Sequence, residues 1–283
     1  MITEKSKTYH KVFTVLAYVL CIFLTVLSIL PFWIMLMNAT RSTTEIQQQA
    51  ISLLPSGYFM NNLQILLGKS FDPLRGFLNS MIISGCSTLC AVYFSTLTAY
   101  AIVVYDWKLK RAFFAFIMAV MMIPAQVTII GFYQMVYKVG LTNNFLPLIL
   151  PSIVAPSMVF FMKQYMEPAL SLEIVQSARI DGAREFYTFN FIAMPIMKPA
   201  IATQAILSFV SSWNQLFLPM VLLTKQQMYT MPIMVSLLKG DIYKTEYGSI
   251  YLGLTLTVLP LFVVYFLLSK YIIAGVALGS VKG

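Results

Sequence analysis

The residues of this chain that could bind a metal ion or a phosphate are few and isolated. Cys86 and Cys90 are four residues apart and would share one helix face, a spacing that suits a redox or metal pair. No histidine or carboxylate lies near them in sequence, so small apolar packing is the simpler interpretation. The segment Gly68–Ser70 imitates the end of a phosphate-binding loop, but Leu63 stands where its first glycine is required. We therefore predict no metal site, no nucleotide site and no catalytic residue in this chain.

A second group of residues could recognise a solute without transforming it. Polar groups inside a membrane are costly unless they are paired or functional. Amides and hydroxyls can hydrogen-bond a neutral polyhydroxyl solute, and an aromatic ring offers a surface for its apolar face. The alternative role for each such residue is a hydrogen bond between neighbouring helices. The candidates for a solute path are Gln126, Thr128, Gln134, Gln204, Ser208, Ser211, Ser212, Asn214 and Gln215, with the aromatic residues Trp213 and Tyr133 alongside.

The elements that must position these residues are hydrophobic stretches of membrane-spanning length. Of 283 residues, 59% are hydrophobic and 10% are charged, whereas a soluble domain is about 25% charged. A helix needs about 20 apolar residues to cross a bilayer. We therefore predict an all-α polytopic membrane protein, a single domain over residues 1–283 with six spans. The predicted spans are 12–37, 79–104, 112–137, 145–162, 199–223 and 249–273.

The basic residues predict the orientation of these spans. The formal net charge is +9, but Lys and Arg lie at the ends of apolar stretches and not in one patch. This distribution favours a topological signal over a nucleic-acid partner. The cluster Lys108–Arg111 occupies a very short loop, where cytoplasmic placement is most strongly indicated. Both termini, including a tail over residues 1–11, are therefore predicted to be cytoplasmic.

One polar segment, residues 167–198, is too long for a minimal connection between spans and falls on the cytoplasmic side. Ser171 can cap a short helix that carries Glu173 in its first turn. Gly182 can end that helix in a left-handed conformation. A second helix would follow and end at Pro195. Two short helices are marginal alone in water, so the pair must pack on the spans, on a partner, or on lipid headgroups. Its mixed charges argue against the lipid surface.

These residues resemble the cytoplasmic-loop motif of permease subunits in binding-protein-dependent ABC importers. That motif reads Glu-Ala-Ala, three residues, Gly, nine residues, then Ile-x-Leu-Pro. This chain has Gln176-Ser177-Ala178, Gly182 and Ile192-Ala193-Met194-Pro195 at the same spacing. Gln176 replaces an acid, so a charge-assisted contact becomes a neutral hydrogen bond of about half the strength. Ser212-Trp213-Asn214 and the ending Gly279–Gly283 look like the carbohydrate branch, and specifically its maltose-type second permease subunit.

The resemblance implies a type I importer transmembrane domain that is not itself an enzyme. It implies four kinds of partner: a second homologous permease subunit, two ATPase subunits that hold ATP and Mg, an external solute-binding protein, and membrane lipid. The cytoplasmic membrane of a bacterium or archaeon is the implied location. The residues implied to couple to the ATPase are Glu173, Gln176, Ser177, Ala178, Asp181, Gly182, Ala183 and Pro195. A tail implied to reach the ATPase subunits comprises Gly279, Ser280, Val281, Lys282 and Gly283.

The function that follows is the permease half of an ATP-driven importer, which moves a sugar or oligosaccharide across the membrane by alternating access. Two alternatives remain from the sequence. A glycerol-phosphate or polyol permease belongs to the same branch. A stand-alone secondary carrier would work without an ATPase, but it usually needs a buried acid or base, and no ionisable residue lies deep in a predicted span.

Overall fold

The computed structural model describes residues 3–68, 71–238 and 245–280, and the side chains of these apart from residues 3–10, 125–126, 264 and 267–280. Its regular structure is helical, as the sequence predicts. The first helices are α1 (Thr3–Asn38), α2 (Thr43–Gln48), α3 (Phe59–Gly68), α4 (Pro73–Val104), α5 (Lys110–Met121), α6 (Ala125–Lys138), α7 (Leu146–Ile149) and α8 (Pro156–Ala169). Then come α9 (Leu172–Ile180), α10 (Glu185–Thr188), α11 (Met194–Ile196), α12 (Lys198–Trp213), α13 (Phe217–Leu222), α14 (Met231–Leu238) and α15 (Tyr247–Ser280). Short 3-10 turns cover Leu150–Ile153 and Gln226–Met228, and a π-helical turn covers Phe189–Ala193.

The chain forms two compact units. One comprises residues 72–234 and 259–283, and α4 is its central helix. Small and β-branched residues cover much of α4, which lets its neighbours α12 and α8 pack closely along it. The core of this unit contains methionine and aromatic side chains from α4, α8 and the π-helical turn, including Tyr100, Met162 and Phe189. Both candidate sites described below lie in this unit.

The other unit comprises residues 1–71 and 235–258. Arg41 is 7% exposed, and its guanidinium donates to the carbonyls of Gln49 at 2.6 Å and Glu45 at 3.0 Å. The Asn62 amide donates to the carbonyls of Ala39 and Arg41, at 2.9 Å each. Hydrogen bonds to main-chain carbonyls compensate for burying these polar groups, so they stabilise the connection after α1.

Three helical segments among the described residues are long and apolar enough to cross a membrane: Lys11–Asn38, Pro73–Val104 and Leu146–Ala169. A fourth arises if Glu185–Ile196 and Lys198–Trp213, which meet at a bend of 81°, form one broken span. Tyr247–Val263 is a shorter apolar stretch within α15. The helices thus account for a multi-pass membrane protein, while the division into six spans stays a prediction.

Three of the predicted spans are interrupted in the structure. Within residues 145–162, the 3-10 turn Leu150–Ile153 separates α7 from α8. Within residues 112–137, α5 ends at Met121 and α6 begins at Ala125. Pro124 lies between them in an extended conformation, and a proline lacks the N–H that a continuous helix would use and restricts the residue before it. Within residues 199–223, α12 ends at Trp213 and α13 begins at Phe217. Backbone groups freed at such breaks need protein or a water-filled cavity beside them.

Candidate functional site

The first helix of the polar segment is α9, and its start is capped as the sequence predicts. The Ser171 hydroxyl accepts a hydrogen bond from the backbone N–H of Glu173 at 3.3 Å. Glu173 lies in the first turn, where the helix dipole favours a carboxylate. The chain therefore leaves α8 and begins α9 after only two residues, Leu170 and Ser171.

One face of α9 is buried and the opposite face is open. Val175 and Ala178 are 1% and 7% exposed and pack toward the core. Gln176 and Ser177 are exposed, and the apolar side chain of Ile180 is 85% exposed. A nine-residue helix is not stable alone in water, so the buried face holds α9 on the rest of the unit.

The turn after α9 depends on a glycine. Gly182 has φ +82°, a conformation that L-residues with a side chain rarely adopt. Its N–H donates to the carbonyl of Arg179 at 3.1 Å, and the N–H of Ala183 donates to the carbonyl of Ala178 at 2.9 Å. This pair of hydrogen bonds defines a Schellman motif, which satisfies the last carbonyls of the helix. The left-handed helix end predicted at Gly182 is therefore confirmed.

A groove of about 740 Å³ lies beside this turn. Five of the residues predicted to couple to an ATPase line it: Ser177, Ala178, Asp181, Gly182 and Ala183. The remaining lining residues are Ile174, Arg184, Tyr187 and Ile192. Of the other predicted coupling residues, Glu173 and Gln176 lie on the exposed part of α9, and Pro195 lies in α11.

The second helix continues past its predicted end by one residue. A π-helical turn over Phe189–Ala193 leads directly into α11, which ends at Ile196. Pro195 lies near the end of the continuous helical run Glu185–Ile196, and it lacks the N–H that this helix would use. The sharp change of direction instead follows at Met197, between α11 and α12.

Three residues meet beside the groove in an arrangement that the sequence did not predict. Tyr105 Oη donates to Glu185 Oε2 at 2.6 Å. Arg179 Nε donates to Glu185 Oε1 at 2.6 Å, and Arg179 Nη2 donates to Oε2 at 3.2 Å. The guanidinium also lies over the ring of Tyr105, 5.5 Å from its centroid. We refer to Tyr105, Arg179 and Glu185 as the Glu185 cluster.

The Glu185 cluster changes the protonation equilibria of its members. The hydrogen bond to Glu185 raises the pKa of the Arg179 guanidinium. Burial raises the pKa of the Tyr105 hydroxyl, and its hydrogen bond to Glu185 raises it further. Arginine and tyrosine therefore both keep their protons at neutral pH, so both remain donors to the carboxylate. No local pattern could have predicted this contact, because Tyr105 precedes Glu185 by 80 residues.

A second, polar cavity of about 510 Å³ lies among α4, the α7–α8 region and α12. Five predicted solute-path residues line it: Gln204, Ser208, Ser211 and Ser212 on one face of α12, and Gln215 just beyond its end. The side chains of Gln204, Ser208 and Ser212 make no hydrogen bond to another described residue. The rest of the lining comprises Ser87, Ala91, Leu148, Ser152, Ala155, Ser157, Met158 and Leu207.

The other predicted solute-path residues do not line this cavity. Trp213 is 1% exposed; its indole packs edge-on against Phe77 at 5.8 Å and stacks on Phe209 at 5.6 Å, measured between ring centroids. Asn214 is exposed at the end of α12. Thr128 and Gln134 are exposed on α6, and the side chain of Gln126 lies outside the described residues.

The predicted ATPase-contacting tail is described only at its start. Gly279 and Ser280 form the end of α15, and the side chain of Ser280 lies outside the described residues. Val281, Lys282 and Gly283 also lie outside the described residues.

Comparison with known proteins places these features in context. The family described as "Binding-protein-dependent transport system inner membrane component" matches residues 91–277. The arabinooligosaccharides transport system permease protein AraQ of Halalkalibacterium halodurans is 33% identical, over 92% of this chain and 94% of that protein. The AraQ protein of Bacillus subtilis is 31% identical, over 96% and 98% of the two chains.

A solved structure has the same fold. It is that of a bacterial ABC transporter involved in the import of the acidic polysaccharide alginate, and one of its chains matches with a TM-score of 0.79 at 21% identity. The match covers 93% of this chain and 97% of that one. The polar segment and the groove fall inside the region matched by the family, and so does the lining of the polar cavity apart from Ser87.

Proposed function

Since this chain belongs to the family of inner membrane components of binding-protein-dependent transport systems, we propose that it forms the permease half of an importer for a neutral sugar or oligosaccharide. The observation that carries the proposal is α9 with its Schellman turn at Gly182. The element presents an exposed face and a groove of about 740 Å³ at the end of the bundle. It is a ready docking surface for a soluble subunit.

We propose that this docking partner is an ATPase subunit. It contacts two groups of residues: the exposed residues Glu173, Gln176 and Ser177, and the groove residues Ala178, Asp181, Gly182 and Ala183. Pro195 supports the second helix. Energy for transport then comes from ATP and Mg held by two such subunits, and this chain performs no catalysis. A neutral Gln176 weakens one contact relative to an acid, while the apolar area around Ile180 adds to binding when it is covered.

The assembly that this role requires contains a second permease subunit and an external solute-binding protein. The orientation follows from the basic residues, with both termini and residues 167–198 in the cytoplasm of a bacterium or archaeon. We infer that the tail Gly279–Gly283 contacts the ATPase subunits. We also infer that the loop at residues 224–248, which the basic residues predict to be external, contacts the binding protein.

The polar cavity supports a neutral solute. Hydroxyl and amide groups of Ser208, Ser212 and Gln215 face it, and none of its lining residues in the described part of the chain is charged. Unpaired amides and hydroxyls suit the hydroxyls of a sugar. A phosphorylated solute would need a cation to offset its charge at low dielectric. The cavity therefore favours a sugar or oligosaccharide over a glycerol phosphate.

Transport by alternating access follows from two states of one assembly. ATP closes the ATPase dimer, which carries α9 and its docking surface with it. The packed helices α4, α8 and α12 then exchange an inward-open cavity for an outward-open one, because close-packed helices change between discrete arrangements. Hydrolysis resets the assembly. The free hydroxyls on α12 hold the solute during the exchange.

Co-purification with a tagged chain tests this role, followed by ATPase assays with the purified binding protein over a solute panel. The panel contains arabino-oligosaccharides, other neutral oligosaccharides, glycerol 3-phosphate and an alginate oligosaccharide. We expect an ATPase subunit in the complex and stimulation by a neutral oligosaccharide. A chain that transports alone, with no ATPase subunit, would contradict the permease role. Stimulation by glycerol 3-phosphate alone would contradict the neutral solute.

A pair of variants distinguishes the effect of a cavity-lining hydroxyl from a general effect on helix packing. Ser212→Val removes a hydroxyl that lines the cavity, and we expect half-maximal uptake to need several-fold more solute. Thr203→Val is the matched control, since Thr203 lies on the same helix, donates to the carbonyl of Pro199 at 3.0 Å and does not line the cavity. Equal effects of the two variants would show that Ser212 acts through helix packing.

A further inference from the structure

The Glu185 cluster joins three separate segments of the chain at one carboxylate. Arg179 belongs to the last turn of α9, Glu185 begins α10, and Tyr105 directly follows the last residue of α4. We propose that the cluster is a positioning device that transmits movement of the docking helix α9 to α4 during transport. This inference rests on the permease function proposed above and assigns a role to three residues outside the coupling motif.

The α9 helix needs such an attachment. It has nine residues, too few to be stable alone in water. Its apolar contact with the rest of the unit comes from Val175 and Ala178, and the hydrophobic effect that stabilises such a contact has no preferred direction. The two parallel hydrogen bonds from the Arg179 fork to Glu185 do fix a direction. The Tyr105 hydroxyl then links the same carboxylate to the end of α4.

Because Tyr105 directly follows α4, a movement of α9 is transmitted to α4. From Tyr105 to Ala91, which lines the polar cavity, the chain is almost entirely helical, a distance of about 21 Å at 1.5 Å per residue. The same helix packs along α8 and α12, which supply most of the remaining lining. A displacement at the Glu185 cluster therefore reaches the cavity through a single rigid element.

Stability alone does not explain the cluster. The side chains of Arg179 and Glu185 are 37% and 45% exposed, and ion pairs at such sites contribute little to the free energy of folding. Their geometry is nonetheless specific: a bidentate fork, a tyrosine hydroxyl on the same carboxylate and a cation above the tyrosine ring. A cluster with specific geometry that adds little to the free energy of folding is suited to keeping α9 and α4 in a fixed relative position while they move.

The test uses the complete complex, reconstituted in liposomes with its ATPase subunits and binding protein. Glu185→Gln removes the carboxylate, and Tyr105→Phe removes only the hydroxyl and keeps the ring. We expect each variant to retain its ATPase subunits and its ATP hydrolysis. Solute taken up per ATP hydrolysed should fall about two- to fivefold, in line with the strength of an exposed ion pair. The double variant should be no worse than the more affected single variant, because both changes break one link.

Glu167→Gln is the matched control. The Lys163–Glu167 ion pair has the same 2.6 Å length and lies in the same part of the chain, but both residues belong to α8. Its loss should leave uptake per ATP unchanged. Arg179→Lys keeps the charge and loses the fork, so we expect it to behave as Glu185→Gln does.

Three results would overturn the proposal. Wild-type uptake per ATP in both Glu185→Gln and Tyr105→Phe would show that the link carries no movement. A parallel fall in uptake, hydrolysis and bound ATPase would show that the cluster only shapes the docking surface. An equal effect of Glu167→Gln would show a general response to lost charge. Absence of any ATPase subunit from the wild-type complex would instead refute the permease function itself, which keeps the two failures distinct.

Discussion

Gly182→Val tests whether the left-handed turn after α9 is needed for transport. Gly182 has φ +82°, and a Cβ built on it would meet nothing within 4 Å. The penalty therefore comes from the backbone and not from a clash within this chain. An L-residue in the left-handed region costs about 1–2 kcal/mol, and a β-branched side chain is a stronger outlier there. We expect the docking-competent turn to lose roughly a factor of 5–30 in population.

The matched control is Gly182→Asn. Asparagine tolerates the left-handed conformation much better than other side chains and also occurs at this position of helix ends. It adds a side chain of a size similar to that of valine. If the backbone conformation is what matters, the asparagine variant should keep most of the wild-type uptake while the valine variant loses most of it.

The assay is binding-protein-dependent solute uptake into liposomes, normalised to the amount of inserted chain and accompanied by the amount of ATPase that co-purifies. Normal uptake by a correctly inserted Gly182→Val variant would refute the requirement for this turn. Equal loss in Gly182→Asn and Gly182→Val would refute the backbone reasoning and indicate that the partner leaves no room for a side chain at this position.

Three further predictions concern single residues. Trp213→Ala should lower the free energy of unfolding by about 3–5 kcal/mol, because the indole is 1% exposed; thermal unfolding in detergent measures this, and an unchanged melting temperature would contradict the packing described. Gly248→Ala should destabilise the unit that contains it, since its Cβ would clash with the carbonyl oxygen of Arg41. Limited proteolysis should reveal this, with Gly57→Ala, which has no neighbour within 4 Å, as the control that stays resistant. Gln176→Glu should increase the amount of ATPase subunit retained through a salt wash, because it adds a charge to an exposed docking residue; no increase would mean that this side chain does not contact the partner.

Much of the docking element could be predicted from the sequence because its signals are local. Ser171 two residues before Glu173 predicts the cap, and Gly182 at the end of a short amphipathic run predicts a left-handed turn. Caps and turns depend on neighbours within a few residues. The π-helical turn at Phe189–Ala193 could not be predicted in this way, because it carries no distinct local pattern.

The solute path illustrates where local reasoning fails. Ser212 and Trp213 are adjacent in sequence and were predicted to act together. Successive residues of a helix point about 100° apart, so one faces the cavity while the other packs between Phe77 and Phe209. Packing of α12 against its neighbours sets its rotation about its own axis. This rotation places Gln204, Ser208 and Ser211 in the lining of the cavity together with Ser212.

By itself, the sequence determined that this chain is an all-α membrane protein with a helix–glycine–helix element, since hydropathy, caps and the motif spacing over residues 176–195 are properties of neighbouring residues. Tertiary structure alone decided which polar side chains share a cavity and that Tyr105 meets Arg179 and Glu185. The physical reason is that helix rotation and long-range contacts depend on how separate helices pack, and no sequence spacing records that packing.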